Sequence, residues 1–85
     1  MRVGVLGLGY VGTVCAACLA RDGHDVLGID TNESKVKAVE AGESPVLEPG
    51  LGELVKAGRD SGLLRGAMSL EGRSADLDMF LISVG

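Results

Sequence analysis

Met1-Arg2-Val3-Gly4-Val5-Leu6-Gly7-Leu8-Gly9-Tyr10-Val11-Gly12 opens the 85-residue chain, and its reading decides the fold. Arg2 to Leu6 is a β-branched and leucine run without polar alternation, the pattern of a parallel strand covered on both faces. The period then changes. Val11, Val14, Cys15, Cys18 and Leu19 recur at helical spacing with Ala16, Ala17 and Ala20 between them, which predicts a helix ending near Gly23. Asp25 to Asp30 reads as a second buried strand, with Asp30 at its carboxyl end.

Outward from this core, Thr31-Asn32-Glu33-Ser34 supplies N-cap chemistry for a short helix that turns Val36 and Val39 inward and stops at Gly42. The two prolines restrict Glu43 to Gly50 to an ordered extended loop. Leu51, Leu54 and Val55 mark a third helix closing at Gly58 or Gly62. Leu63 to Met68 is a weak strand pattern, followed by a poorly patterned connector, and Asp78 to Val84 is a strong final strand delivering Gly85. Strands alternating with helices select an α/β class with a doubly wound parallel sheet, because parallel neighbours need crossovers and those are right-handed. The expected order sets the first strand centrally, the second and third to one side and the last on the other. Ligands of such sheets bind at the switch point beyond the carboxyl ends of the strands, where Gly7, Asp30 and Gly85 are expected.

Composition narrows the function classes. Fourteen glycines, one Phe, one Tyr and no Trp make a thin core, and a chain of this length buries only about 60% of its unfolded surface. No apolar run approaches a membrane span, and the glycines have no three-residue period. Eight basic against twelve acidic residues give a net charge of -4, which disfavours nucleic acid and anionic membrane as partners. The amino-terminal apolar stretch breaks at glycine before signal-peptide length, so a cytoplasmic location is expected.

Gly7, Gly9 and Gly12 match G-x-G-x-x-G, a pattern for which roughly 0.3 accidental matches are expected in a chain this rich in glycine. Context adds what the pattern lacks. The match lies between a buried strand and an amphipathic helix, and Asp30 ends the next strand, as in dinucleotide-binding folds. Gly7 then permits the turn, Gly9 admits the backbone to a pyrophosphate, and Gly12 lets the helix pack closely. Tyr10 and Val11 contribute backbone N–H groups at the helix N-terminus, where unpaired donors and the macrodipole favour an anion. Asp30 accepts hydrogen bonds from the adenosine ribose hydroxyls, and no Arg follows it at Thr31 or Asn32 to welcome a 2′-phosphate, so NAD is expected over NADP. Lys35, one helical turn on, either reaches the same ribose or is a solvated helix lysine. Cys15 and Cys18 form a C-x-x-C, but no second Cys/His pair completes a metal site, and small apolar packing on the helix is the expected role. His24 is expected in a turn without an acid–base partner, and Glu33, Lys35, Lys37 and Glu40 as a solvated helix face.

The opening dodecapeptide, Gly23-His24-Asp25-Val26, Asp30, Lys35-Val36 and above all Ser44-Pro45-Val46-Leu47-Glu48-Pro49-Gly50-Leu51 resemble the N-terminal domain of UDP-glucose/GDP-mannose dehydrogenases. The resemblance runs across essentially all 85 residues. It implies a Rossmann-like sheet, here expected to be cut after about four strands, with 1–85 as the first part of an NAD-binding domain and the substrate and catalytic domains absent. It also implies a homo-oligomeric cytoplasmic enzyme that oxidises the C6 alcohol of GDP-mannose or UDP-glucose to a uronic acid through a cysteine thiol, in polysaccharide biosynthesis. Cys15 and Cys18 do not match that nucleophile, so no catalytic residue and no metal ligand is assigned, and the 85 residues alone are expected to be inactive. What carries over is cofactor binding by Gly7, Gly9, Tyr10, Val11, Gly12, Asp30 and Lys35. Ala67-Met68-Ser69 and Glu71-Gly72-Arg73-Ser74 depart from the family pattern in the last crossover. The Ser44 to Pro49 and Ala57 to Gly62 stretches lie slightly closer to the GDP-mannose enzymes. A stand-alone nucleotide-binding module without catalysis, and another NAD-dependent dehydrogenase sharing the glycine loop, remain as alternatives.

Overall fold

β1 (Arg2–Leu6) pairs with a neighbour on each side, β2 (Asp25–Ile29) and the last strand, as its unbroken apolar pattern requires. A computed structural model of the chain describes residues 1–70 and 76–83. After β1 come α1 (Tyr10–Arg21), β2, α2 (Glu33–Glu40), α3 (Leu51–Ser61), β3 (Leu64–Ala67) and β4 (Met79–Ile82). The strands form one parallel sheet in the order β3-β2-β1-β4. Register sets Val3 beside Val26 and Met79, and Val26 beside Leu64. The expected strand order is therefore observed, with β3 and β4 shorter than the stretches read for them. Residues 71–75 of the last crossover, Val84 and Gly85 lie outside the described residues.

One face of the sheet carries the core. Val3, Val5, Val26 and Leu64 cluster with Ala16, Ala17 and Ala20 of α1, Val36 and Val39 of α2, and Leu51 and Val55 of α3. Each fully buried valine contributes about 1.5 to 3 kcal/mol, an upper figure because the unfolded chain already hides some of that surface. The opposite face holds Leu27 and Ile29, which are buried, and Phe80 and Ile82, which are 40% and 75% exposed.

The structure corrects the expected face of α1. Its buried line is Gly12, Thr13, Ala16, Ala17 and Ala20, while Val11 is exposed and Cys15 and Cys18 are only half-buried, unpaired thiols. Small residues win the inner face because they let the helix approach close neighbours. A methyl added at Gly58 of α3 would stand 3.4 Å from the Ala20 Cβ and 2.8 Å from that of Leu64. Gly58 is thus a packing residue inside α3, and Gly62, in the left-handed region, ends the helix. Glu40 is exposed, as expected of the helix face, but it does more than face solvent. Its carboxylate accepts the N–H of Gly66 at 3.1 Å and so covers a donor of β3, an edge strand among the described residues.

Candidate functional site

Helix capping differs sharply among α1, α2 and α3. α2 begins on Asn32, whose Oδ1 accepts from the Ser34 N–H at 3.0 Å, and has Glu33 in its first turn. α3 has Glu53 in its first turn. α1 has neither a side-chain cap nor an acid, and the N–H groups of Tyr10, Val11 and Gly12 find no acceptor among the described residues. Unpaired donors and an uncompensated dipole at one helix end attract an anion. The exposed side chains of Tyr10 and Val11 are consistent with amides as the working groups there.

Glycine builds the approach to that end. Gly7 has φ +103°, in the region that favours glycine, and its N–H donates to the Ile29 carbonyl at 2.7 Å, pinning the loop to β2. A side chain at Gly7 would run into the Ser83 carbonyl oxygen at the end of β4, and one at Gly12 would run into the Gly7 carbonyl oxygen. Gly9 is the N-cap, with extended backbone at φ -76° and ψ -163°. The three glycines thus leave the α1 terminus bare of side-chain bulk.

Asp30 stands across this loop. Its Oδ2 accepts the Leu8 N–H at 2.8 Å and its Oδ1 accepts the Asn32 N–H at 2.8 Å. The donated hydrogen bonds, first that of Asn32 and then that of Leu8, outweigh partial desolvation, and with the charge of Lys35 they hold the carboxyl below the ordinary aspartate range. Two backbone bonds use only part of a carboxylate's acceptor capacity, so both oxygens retain lone pairs for a ligand diol. A cavity of about 280 Å³ extends from here, lined by Leu6, Gly7, Ile29, Asp30, Thr31, Ile82 and Ser83. Its apolar walls with one carboxylate at the rim suit a heterocycle and its ribose.

Of the residues predicted from sequence, Gly7 and Asp30 line this cavity, Tyr10, Val11 and Gly12 form the adjoining helix turn, and Lys35 stands near enough for its charge to act on Asp30. Gly85 is outside the described residues. Thr13 and Ser83 were missed. Thr13 is buried, and its Oγ1 donates to the Leu8 carbonyl at 3.1 Å; a polar residue within a Gly/Ala stripe was the available signal. Ser83 had no local signal, since a crossover brings it beside Gly7. The larger cavity, about 430 Å³, is lined by Arg2, Asp25, Leu27, Arg65, Asp76 and Leu77, with Arg2 and Asp25 at the amino ends of their strands. It contains none of the glycine-loop residues. His24 sits in the expected turn, its Nδ1 buried without a partner among the described residues.

These residues fit a dinucleotide: a cradle that side chains would fill, free donors at a helix terminus suited to a pyrophosphate, and a carboxylate acceptor pair at the end of β2 suited to a ribose diol. Comparison with known proteins agrees. The model of the NAD binding domain of the UDP-glucose/GDP-mannose dehydrogenase family matches residues 1–85. A GDP-mannose 6-dehydrogenase from Pseudomonas aeruginosa is 44% identical over 85 residues, all of this chain and 20% of the relative. A UDP-glucose 6-dehydrogenase from Rhizobium meliloti is 40% identical over the same span, again 20% of the relative. A crystal structure of a ternary complex of the Pseudomonas aeruginosa GDP-mannose dehydrogenase superposes with a TM-score of 0.95 at 44% identity, covering 100% of this chain and 20% of that one. The chain spans about a fifth of the length of these relatives.

Proposed function

The chain belongs to the UDP-glucose/GDP-mannose dehydrogenase family as its NAD-binding domain, and from that premise we propose that it holds the cofactor for oxidation of a nucleotide sugar at C6 to a uronic acid. NAD is the cofactor. When bound it accepts hydride from the substrate carbon; this chain's own residues bind, orient and discriminate. The N–H groups of Tyr10, Val11 and Gly12 hold the pyrophosphate at the α1 terminus, with Gly7, Gly9 and Gly12 keeping side chains out of its way. Asp30 accepts from the ribose 2′- and 3′-hydroxyls, and Lys35 reaches the same ribose. A 2′-phosphate at Asp30 would meet a carboxylate already held ionised, which supports NAD over NADP.

The observation that carries this reading is Asp30, clamped by the Leu8 and Asn32 N–H groups at the rim of the cavity beside Gly7. GDP-mannose or UDP-glucose is the proposed sugar nucleotide, with the Ser44 to Pro49 and Ala57 to Gly62 stretches leaning slightly toward GDP-mannose; enzymes of both kinds match this chain at 44% identity. The nucleophile and the sugar-binding residues are proposed to lie in other segments of a homo-oligomeric cytoplasmic enzyme, since neither Cys15 nor Cys18 faces the cofactor cavity. Among the described residues no helix is long and apolar enough to cross a membrane. Calorimetric NAD titration of the Asp30→Ala variant tests the reading. Affinity is expected to fall roughly tenfold to a hundredfold, the scale of a lost hydrogen bond to a charged group. Unchanged affinity would remove Asp30 from the site.

A further inference from the structure

Thr13 is the one polar side chain fully buried among the described residues, at 1% exposure. Its neighbours on the inner face of α1 are Gly12, Ala16 and Ala17, so Ala or Val would satisfy the packing and a hydroxyl there needs a partner. The partner is the Leu8 carbonyl at 3.1 Å. Leu8 is thereby held at three points. Its N–H donates to Asp30 Oδ2 at 2.8 Å, its carbonyl accepts from Thr13, and its side chain is fully buried over Gly28, where an added methyl would stand 2.8 Å from the Leu8 Cδ2. The side chain sets where Leu8 lies. The two hydrogen bonds set how its backbone is turned, and only that rotation decides whether the N–H meets the carboxylate.

We propose that Thr13 is a positioning residue for the cofactor site: its hydroxyl orients the Leu8 backbone, and the Leu8 N–H in turn aims the Asp30 carboxylate at the ribose diol. The relay runs from the inner face of α1 to the end of β2 through one loop residue, and Thr13 itself touches no ligand. Its value for binding rests on the ribose reading of Asp30. The relay itself does not, because it is a property of the ligand-free protein.

The test compares Thr13→Val, which keeps the shape and deletes the donor, with Thr13→Ser, which keeps the donor, and with Asp30→Ala. Four quantities are read: NAD affinity, melting temperature, exchange of the Leu8 amide relative to that of Leu27, and the NMR titration of the Asp30 carboxyl. Lys35 is the other charge acting on that carboxyl among the described residues and is unchanged throughout. For Thr13→Val, Leu8 exchange is expected to rise roughly tenfold beyond that of Leu27, and the Asp30 titration to move up toward the ordinary range. NAD affinity is expected to fall roughly three- to tenfold, the scale of one neutral hydrogen bond. Thr13→Ser restores all three. A lower melting temperature with the Leu8 ratio and the Asp30 titration unmoved would make Thr13 a packing residue and overturn the proposal. If Thr13→Val does not fold, Thr13→Ala gives the same readouts with a smaller side chain. Failure of the ribose reading is separable: it shows as undiminished NAD affinity in Asp30→Ala, whatever Thr13 does to the carboxyl.

Discussion

Among the described residues two helices start on glycine, and they start differently. α1 begins Gly9-Tyr10-Val11-Gly12 and α3 begins Gly50-Leu51-Gly52, each with a glycine N-cap and no side-chain cap. Around Gly12 the chain is crowded: an added methyl would strike the Gly7 carbonyl oxygen and come within 3.3 Å of the Ser83 Cβ. Around Gly52 nothing lies within 4 Å. α3 carries Glu53 in its first turn, answering its own dipole, whereas α1 carries no acid there and faces the loop that Asp30 clamps. A glycine-rich helix start is therefore not in itself an anion site. At α1 two further conditions coincide: glycine is demanded by a close backbone approach, and the first turn leaves the helix dipole unanswered.

Gly12→Ala should break the comparison hardest. The clash is with the Gly7 backbone, so the loop or the helix must shift, and a loss of at least about 2 kcal/mol in stability is expected by denaturant unfolding, together with loss of measurable NAD binding. Val11→Glu gives α1 the acid that α3 already has. At an exposed position in a first turn this should stabilise the free protein by about 0.3 to 1 kcal/mol and weaken NAD roughly tenfold by repelling the pyrophosphate. Both effects having the same sign would refute the anion role of the α1 terminus. Gly52→Ala should stabilise α3 by about 0.5 to 1 kcal/mol with NAD affinity unchanged, since the methyl meets open space and lowers the backbone entropy cost.

The smallest effect is expected from pH. The folded Asp30 carboxyl lies below the ordinary aspartate value, so its contribution to stability is fully present above about pH 4 and is lost as pH falls through the folded value. Unfolding midpoints followed between about pH 6 and 3 should therefore show an Asp30-dependent decline only at the acid end, absent in Asp30→Ala. A decline starting near pH 6 would contradict the direction of the shift.

Much of β1, α1 and β2 was legible because local patterns and the global fold agree there: an apolar run, three glycines, a helical period and a second run that closes on an acid. Asn32 as a cap and Gly62 as a stop follow from local backbone chemistry and were legible for the same reason. The inner face of α1 was not. Hydrophobicity alone favours Val11, Val14, Cys15, Cys18 and Leu19, but the distance of closest approach decides which side turns inward, and that distance suits Ala16, Ala17 and Ala20. Glu40 reads as an exposed charge and is one; that it also covers the Gly66 N–H was not legible, because Gly66 is 26 residues away.

The sequence by itself determined the element types, the strand order, the glycine loop and the acid beyond it, because each is written within a few residues or in the alternation of strand and helix. Only the tertiary structure decided that Thr13 holds Leu8, that Leu8 holds Asp30, and that Ser83 closes on Gly7. Those contacts join positions 5, 22 and 76 residues apart, and their geometry depends on how closely α1 and β4 settle beside β1. No local propensity encodes that spacing; it is set by the packing of small side chains across the sheet.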